Sequence, residues 1–154
     1  MILTVDIGNT ATTMGLYTPE GTLRFRGALK TDKNKTQDQL AIDLLDMFHL
    51  YQADIGEVTG GVISSVVPPM THAMAGAIRQ LSGVRPMIVG PGVKTGMNIL
   101  AEVHNQLGAD IVASSVAALQ KYPQPIIVID MGTATTLSYL GNNTYEGCVI
   151  IPGV

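Results

Sequence analysis

A single cysteine, Cys148, occurs in the chain, so it can form neither an intrachain disulfide nor a cysteine metal cluster. A reducing, cytoplasmic setting is the natural expectation. Tryptophan is absent and charged residues make up only 14% of the chain, for a formal net charge of -3. That balance argues against nucleic-acid binding through broad basic surface, which neutralises phosphates with lysine and arginine. No apolar run approaches the roughly 20 residues of a membrane helix. Asp6 also interrupts the first apolar stretch before it could serve as a leader, so the expectation is a soluble protein with no membrane partner. What remains abundant is apolar side chains, 46% of 154 residues, enough for a folded chain with a sizeable core.

The most informative stretch is Asp130-Met131-Gly132-Thr133-Ala134-Thr135-Thr136, between the apolar runs 125–129 and 137–140. It reads as strand, tight glycine turn, strand. The same arrangement opens the chain, where Ile2-Leu3-Thr4-Val5 leads into Asp6-Ile7-Gly8-Asn9-Thr10-Ala11-Thr12-Thr13. Gly8 and Gly132 allow a tight turn, at which amides and the hydroxyls of Thr10, Thr12, Thr133 and Thr135 can converge on an anion such as phosphate. Neither loop contains lysine or arginine. The charge of a polyphosphate would then be met by a cation held on Asp6 or Asp130, directly or through water. A plain hairpin with Asp-x-Gly turn chemistry explains one such loop; two copies favour phosphate binding.

Read in order, the first hairpin continues through Thr18-Pro19-Glu20-Gly21 into a third strand over 22–29. A helix starting at Thr36 or Asp38 runs to about Tyr51, with Leu40, Ile42, Leu44, Leu45, Met47, Phe48 and Leu50 mostly on one face. A buried strand over 58–65, a helix through Leu81 and a short strand at 86–89 follow. The segment 93–107 has no clear period and reads as a loop, after which Gly108-Ala109-Asp110 opens a helix to Lys121. Three strands, helix, strand, helix, strand is the ribonuclease-H-like α/β pattern of the actin, sugar-kinase and heat-shock ATPase superfold. The expected division is a ribonuclease-H-like domain at 1–121 and the first strands of a second such domain at 122–154. The second domain reaches only its three-stranded meander, as expected of a fragment that is inactive by itself.

The residues resemble the type III pantothenate kinases, also called the Bvg accessory factor family. The resemblance rests on Asp6-Ile7-Gly8-Asn9-Thr10, Ile63-Ser64-Ser65-Val66-Val67-Pro68-Pro69, Val89-Gly90-Pro91-Gly92-Val93-Lys94-Thr95-Gly96, Asn98-Ile99, Gly108-Ala109-Asp110 and the stretch from Asp130 to Thr136. It implies ATP-dependent phosphorylation of pantothenate, the entry to coenzyme A, by a homodimer that uses Mg2+ and a monovalent cation, K+ or NH4+. By position it implies Asp6 at the Mg2+ and phosphates, with Gly8, Asn9 and Thr10 lining one phosphate loop. Gly132, Thr133 and Thr135 would line the other, with Asp130 near the monovalent cation. Gly108, Ala109 and Asp110 would meet the acceptor, Asp110 as general base. Read from pattern alone, Asp110 is better explained as a helix N-cap, and the resemblance reverses that order.

Several positions depart from the family. Ile111 stands where arginine is usual, Leu100-Ala101 where tyrosine follows the Asn-Ile pair, His104-Asn105-Gln106-Leu107 where an Asn-Pro pair precedes Gly-Ala-Asp, and Cys148 where a second glycine is usual. Arginine is the natural two-pronged partner of pantothenate's carboxylate, so restoring it with Ile111→Arg is expected to tighten pantothenate. The alternative reading is a non-catalytic nucleotide-binding or regulatory relative, or a kinase with a related small acceptor. A ribonuclease-H-type nuclease shares the first-strand acid, and the acidic balance and second loop disfavour it. Lys94-Thr95 lacks Walker A spacing, Ser64-Ser65 lacks the nucleophile-elbow pattern, and His49, His72 and His104 form no metal motif.

Overall fold

The structure, a computed structural model, describes residues 1–90, 93–100 and 107–153. The expectations placed on Ala101, His104, Asn105 and Gln106 therefore lie outside the described residues. By packing, the chain divides into two units, Met1–Ile88 and Val89–Val154.

The first unit begins with an antiparallel meander, β1 (Ile2–Ile7), β2 (Ala11–Tyr17) and β3 (Leu23–Lys30). Then come α1 (Gln37–Leu50), a short 3-10 turn, β4 (Gly60–Ser65), α2 (Pro68–Ser82) and β5 (Met87–Ile88). Strand order is β3-β2-β1-β4-β5, with β4 parallel to β1 and β5 parallel to β4. This is the ribonuclease-H-like arrangement expected from the element order.

The central strand β1 forms because its β-branched and aliphatic residues alternate with polar ones, a period that suits a sheet with one core face. Leu3, Val5 and Ile7 are buried and pack with Leu40, Leu44 and Phe48 of α1 and Met70, Met74 and Ile78 of α2. Truncating any of these fully buried side chains to alanine removes about 2–5 kcal/mol. Thr36 caps α1 in a capping box with Gln39, each side chain meeting the other's backbone amide. Of the apolar face expected on α1, Ile42 and Leu50 are instead exposed, because the buried stripe follows Leu40, Leu44, Met47 and Phe48. Gly83 ends α2 at φ 75°, a left-handed cap that glycine takes without a Cβ penalty.

The second unit contains β6 (Asn98–Ile99), α3 (Ala109–Lys121), β7 (Ile126–Met131), β8 (Ala134–Gly141) and β9 (Thr144–Pro152). The last three form an antiparallel meander in the order β7-β8-β9, and β6 adds in parallel beside β9. Asn142 and Asn143, both at positive φ, make the two-residue turn from β8 to β9. β6 lies inside the segment expected to be loop; at two residues it is too short to leave a period in the sequence. The helix α3, expected to close the first domain at residue 121, belongs to the second unit. It packs on β7 and β8, and its Ile111 and Ala118 join Met97, Leu140 and Tyr145 in that unit's core.

The two meanders share one register, since Asp6 pairs with Thr13 as Asp130 pairs with Thr136. Ile127, Ile129 and Met131 therefore stand at the positions of Leu3, Val5 and Ile7. In the first unit that stripe is buried, whereas in the second it is 59–66% exposed. Among the described residues β7 has β8 as its single strand neighbour, whereas β1 has both β2 and β4.

Tyr145 is fully buried, with its hydroxyl 3.3 Å from that of Ser138. Burial, reinforced by Cys148, pushes its phenol up to about 12. The unfolded chain then loses this proton near the ordinary value of about 10 while the folded chain keeps it, so the contribution holds below about pH 10 and fades as pH rises towards about 12. Urea unfolding at about pH 9 and about pH 11 is expected to show a smaller pH-dependent loss of stability in Tyr145→Phe than in the parent chain.

Candidate functional site

The first candidate loop, residues 8–10, joins β1 to β2 at the end of the central strand. Strand alternation turns Asp6 away from the face on which Val5 and Ile7 are buried, and Asp6, Asn9 and Thr10 are exposed. The Gly8 amide donates to the Ala11 carbonyl at 3.0 Å and so closes the loop. A Cβ on Gly8 would lie 3.1 Å from that carbonyl oxygen, so a larger residue would push the turn outward by a few tenths of an ångström. A phosphate bound through the Gly8 amide would have to displace this bond; the amides of the next two residues need no such exchange with Ala11.

Thr12, one of the hydroxyls expected to face an anion, is buried, and its oxygen lies 2.9 Å from the Thr31 hydroxyl. Thr31 in turn donates to the Gly8 carbonyl at 2.8 Å, and its amide donates to the Thr10 carbonyl at 3.0 Å. The Lys33 ammonium donates to the Asn9 side-chain oxygen at 3.3 Å. A cation thus stands at a loop that contains none, brought there by a segment that reads in sequence only as a polar connection.

β4 runs parallel to β1 and places Ser64 opposite Asp6, and Ser65 opposite Ile7. Ser65 accepts from the Val67 amide at 3.0 Å and from the Thr71 hydroxyl at 2.8 Å, which secures the start of α2 where Val67 offers no side-chain cap. Ser64, on the same face as Asp6, is buried and its hydroxyl has no partner among the described residues. No cluster of three or more His, Cys, Asp or Glu placed for a metal occurs among the described residues. One carboxylate beside an unsatisfied hydroxyl fits an ion such as Mg2+, which keeps waters and takes the remainder of its oxygens from bound phosphates.

In the second unit the turn from β7 to β8 consists of Gly132 and Thr133, one residue shorter than its counterpart because it has no equivalent of Asn9. The Gly132 amide donates to the Ala134 carbonyl at 3.2 Å. Thr135 pairs with Met131 as Thr12 pairs with Ile7, and it too is buried. Asp130 is exposed. Gly108 is the N-cap of α3, with Ala109 and Asp110 in the first turn, where the helix dipole favours a carboxylate. Asp110 is therefore not the cap; its carboxylate accepts from the neighbouring Ile111 amide at 2.9 Å. Thr95 accepts from the Met97 amide at 3.3 Å, which is turn chemistry rather than a Walker loop.

The sequence model of the type III pantothenate kinase family matches residues 2–154. The chain belongs to that family. Type III pantothenate kinases of Listeria innocua and Halalkalibacterium halodurans are 40% and 41% identical to it over 155 aligned positions that take in the whole chain. The chain spans about 60% of the length of these relatives. Among solved structures, a Campylobacter jejuni protein titled as a Baf family transcriptional activator matches 99% of the chain and 55% of its own, with a TM-score of 0.55 at 17% identity. A Sinorhizobium meliloti protein titled as a 2-dehydro-3-deoxygalactonokinase matches 97% of the chain and 53% of its own, with a TM-score of 0.56 at 13% identity. At these identities the structures speak to the fold alone.

The site residues fall in two groups. Asp6, Gly8, Asn9 and Thr10 come together at the first turn, while Gly108, Ala109, Asp110, Asp130, Gly132, Thr133 and Thr135 belong to the second unit. Concave surface of about 460 Å3 in the second unit, along Tyr122, Pro123, Pro125 and Ile127, touches none of them. Ile111, the departure from the family's arginine, is 9% exposed and packed in the second unit's core. It is a core side chain, so Ile111→Arg would first have to be accommodated in that core before it could meet a substrate. A guanidinium there would be buried among apolar side chains, at a cost of about 3 kcal/mol or more. Urea denaturation of Ile111→Arg is expected to show that loss; unchanged stability would mean the side chain reaches solvent or a carboxylate.

Proposed function

We propose that this chain provides the nucleotide loops and the general base of a type III pantothenate kinase, transferring the γ-phosphoryl group of ATP to the primary hydroxyl of pantothenate. The observation that carries the reading is the first turn: an exposed Asp6 beside a closed loop, with the Lys33 ammonium at its tip and an unsatisfied Ser64 hydroxyl on the Asp6 face. Family membership supports the choice of reaction.

In this reading residues 8–10 receive the polyphosphate, and Lys33 meets part of its charge. Asp6 and Ser64 would hold Mg2+, which supplies electrostatic stabilisation of the phosphates when bound. Asp130 would lie near K+ or NH4+ and Gly132, Thr133 and Thr135 would form the second phosphate loop. Asp110 takes the proton of the attacking hydroxyl as the new O–P bond forms and the bond to ADP breaks. The working enzyme would be a cytoplasmic homodimer.

The buried Ile111 favours a second reading, in which the nucleotide site is kept and the acceptor is a different small alcohol, or transfer is absent and binding serves regulation. No guanidinium waits at that position for pantothenate's carboxylate.

The test uses two proteins, this chain and this chain completed with the remaining part of the Listeria innocua relative. Calorimetry is expected to show MgATP binding by both, and a coupled assay with pantothenate and K+ to show turnover by the completed protein alone. MgATP binding without turnover on pantothenate would select the second reading, and absence of MgATP binding would remove both. In the completed protein, Asp110→Asn should lower kcat about 100-fold or more and leave MgATP affinity in place.

Lys33→Gln should weaken MgATP binding about two- to fivefold at low salt, with the difference shrinking as ionic strength rises, because an exposed ammonium acts mainly by screened attraction. A salt-independent difference, or none, would show that Lys33 serves only Asn9.

A further inference from the structure

We propose that Thr31 is a positioning residue that holds residues 8–10 in the shape that receives the nucleotide's phosphates. The proposal rests on the reading of that turn as the phosphate loop.

The hydrogen bonds around Thr31 have a fixed direction. A threonine hydroxyl has one proton to give, and that of Thr31 goes to the Gly8 carbonyl at 2.8 Å. The 2.9 Å contact between the Thr12 and Thr31 hydroxyls must then run from Thr12 to Thr31. The result is a relay from Thr12 through Thr31 to Gly8, and such chains reinforce each bond in them. The Thr31 amide adds a bond to the Thr10 carbonyl at 3.0 Å. Two residues on, Lys33 donates to Asn9 at 3.3 Å. Every residue of the loop is thus tied to the segment that leaves β3. Thr31 is 9% exposed, so water competes little for its bonds.

The second turn shows that a hairpin of this fold does not need the device. Ala134 pairs with Pro152 as Ala11 pairs with Lys30, which puts Gly153 where Thr31 stands. Gly153 has no hydroxyl, and a Cβ there would run into the Gly132 and Thr133 carbonyls. Backbone contact secures the shorter turn; a side-chain relay secures the longer one. The extra residue in the first loop gives it room to be mis-set, and Thr31 removes that freedom.

Calorimetric titration of the 154-residue chain with MgATP, paired with thermal melting, tests this. Thr31→Val keeps the shape and deletes the hydroxyl; it should remain folded and bind MgATP about tenfold more weakly, the scale of one net hydrogen bond. Thr31→Ser restores the hydroxyl and should bind within about twofold of the parent. A role confined to packing would instead leave affinity unchanged in a folded Thr31→Val, or weaken both variants alike, and either result overturns the proposal while the phosphate loop stands. Should Thr31→Val fail to fold, Thr12→Val, which removes only the donor to Thr31, is expected to lower affinity about threefold; equal affinity overturns the proposal. Failure of the parent chain to bind MgATP overturns the phosphate-loop reading, and this proposal with it.

Discussion

The alternation of side chains along β1, a strand hydrogen-bonded on both edges, sets the terms for the rest of the molecule. With β2 on one side and β4 on the other, β1 cannot slip, because a shift of one residue would expose Leu3, Val5 and Ile7 together. The same lock forces Asp6 onto the opposite face, next to the turn and opposite Ser64. Core packing and site geometry are thus one constraint: the hydrophobic stripe that binds α1 and α2 is also what aims the carboxylate.

The second meander repeats the register without the same completion. Its stripe of Ile127, Ile129 and Met131 is exposed, and its own helix α3 packs through Ile126 and Val128 on the opposite face. The chain spans about 60% of the length of the relatives it matches. The repeated hairpin is accordingly strong as a mark of common construction. Its first copy is held by a covered core and a set of side-chain bonds, and that is the copy on which a functional reading can rest.

Much of this was legible in the chain. The short apolar runs that lead into Asp6 and Asp130 give the strands, Asp-x-Gly gives the turns, and Thr36 or Asp38 offers the start of α1. Other features depend on contacts between residues far apart and leave no local trace. Thr12 is read as a ligand hydroxyl until Thr31, just past the end of β3, is seen to occupy it. Lys33 and Asn9 meet only because β3 returns beside β2. The missing residue in the second turn is visible in sequence once Ala11 is aligned with Ala134, but the resemblance of two threonine-rich loops hides it. Ile111 reads as a lost arginine when compared with the family, and as a core residue when its neighbours are known.

The claim on which the functional reading turns is that residues 8–10, and not merely the fold around them, receive phosphates. Backbone amide resonances of the chain, followed by NMR as MgATP is added, address it directly. The expected result is a saturable shift of the Asn9 and Thr10 amides, with smaller movement at Lys33 and little at the Gly8 amide, which stays bonded to Ala11. Saturation by MgATP with Asn9 and Thr10 unmoved, or no saturable shift anywhere, would contradict it.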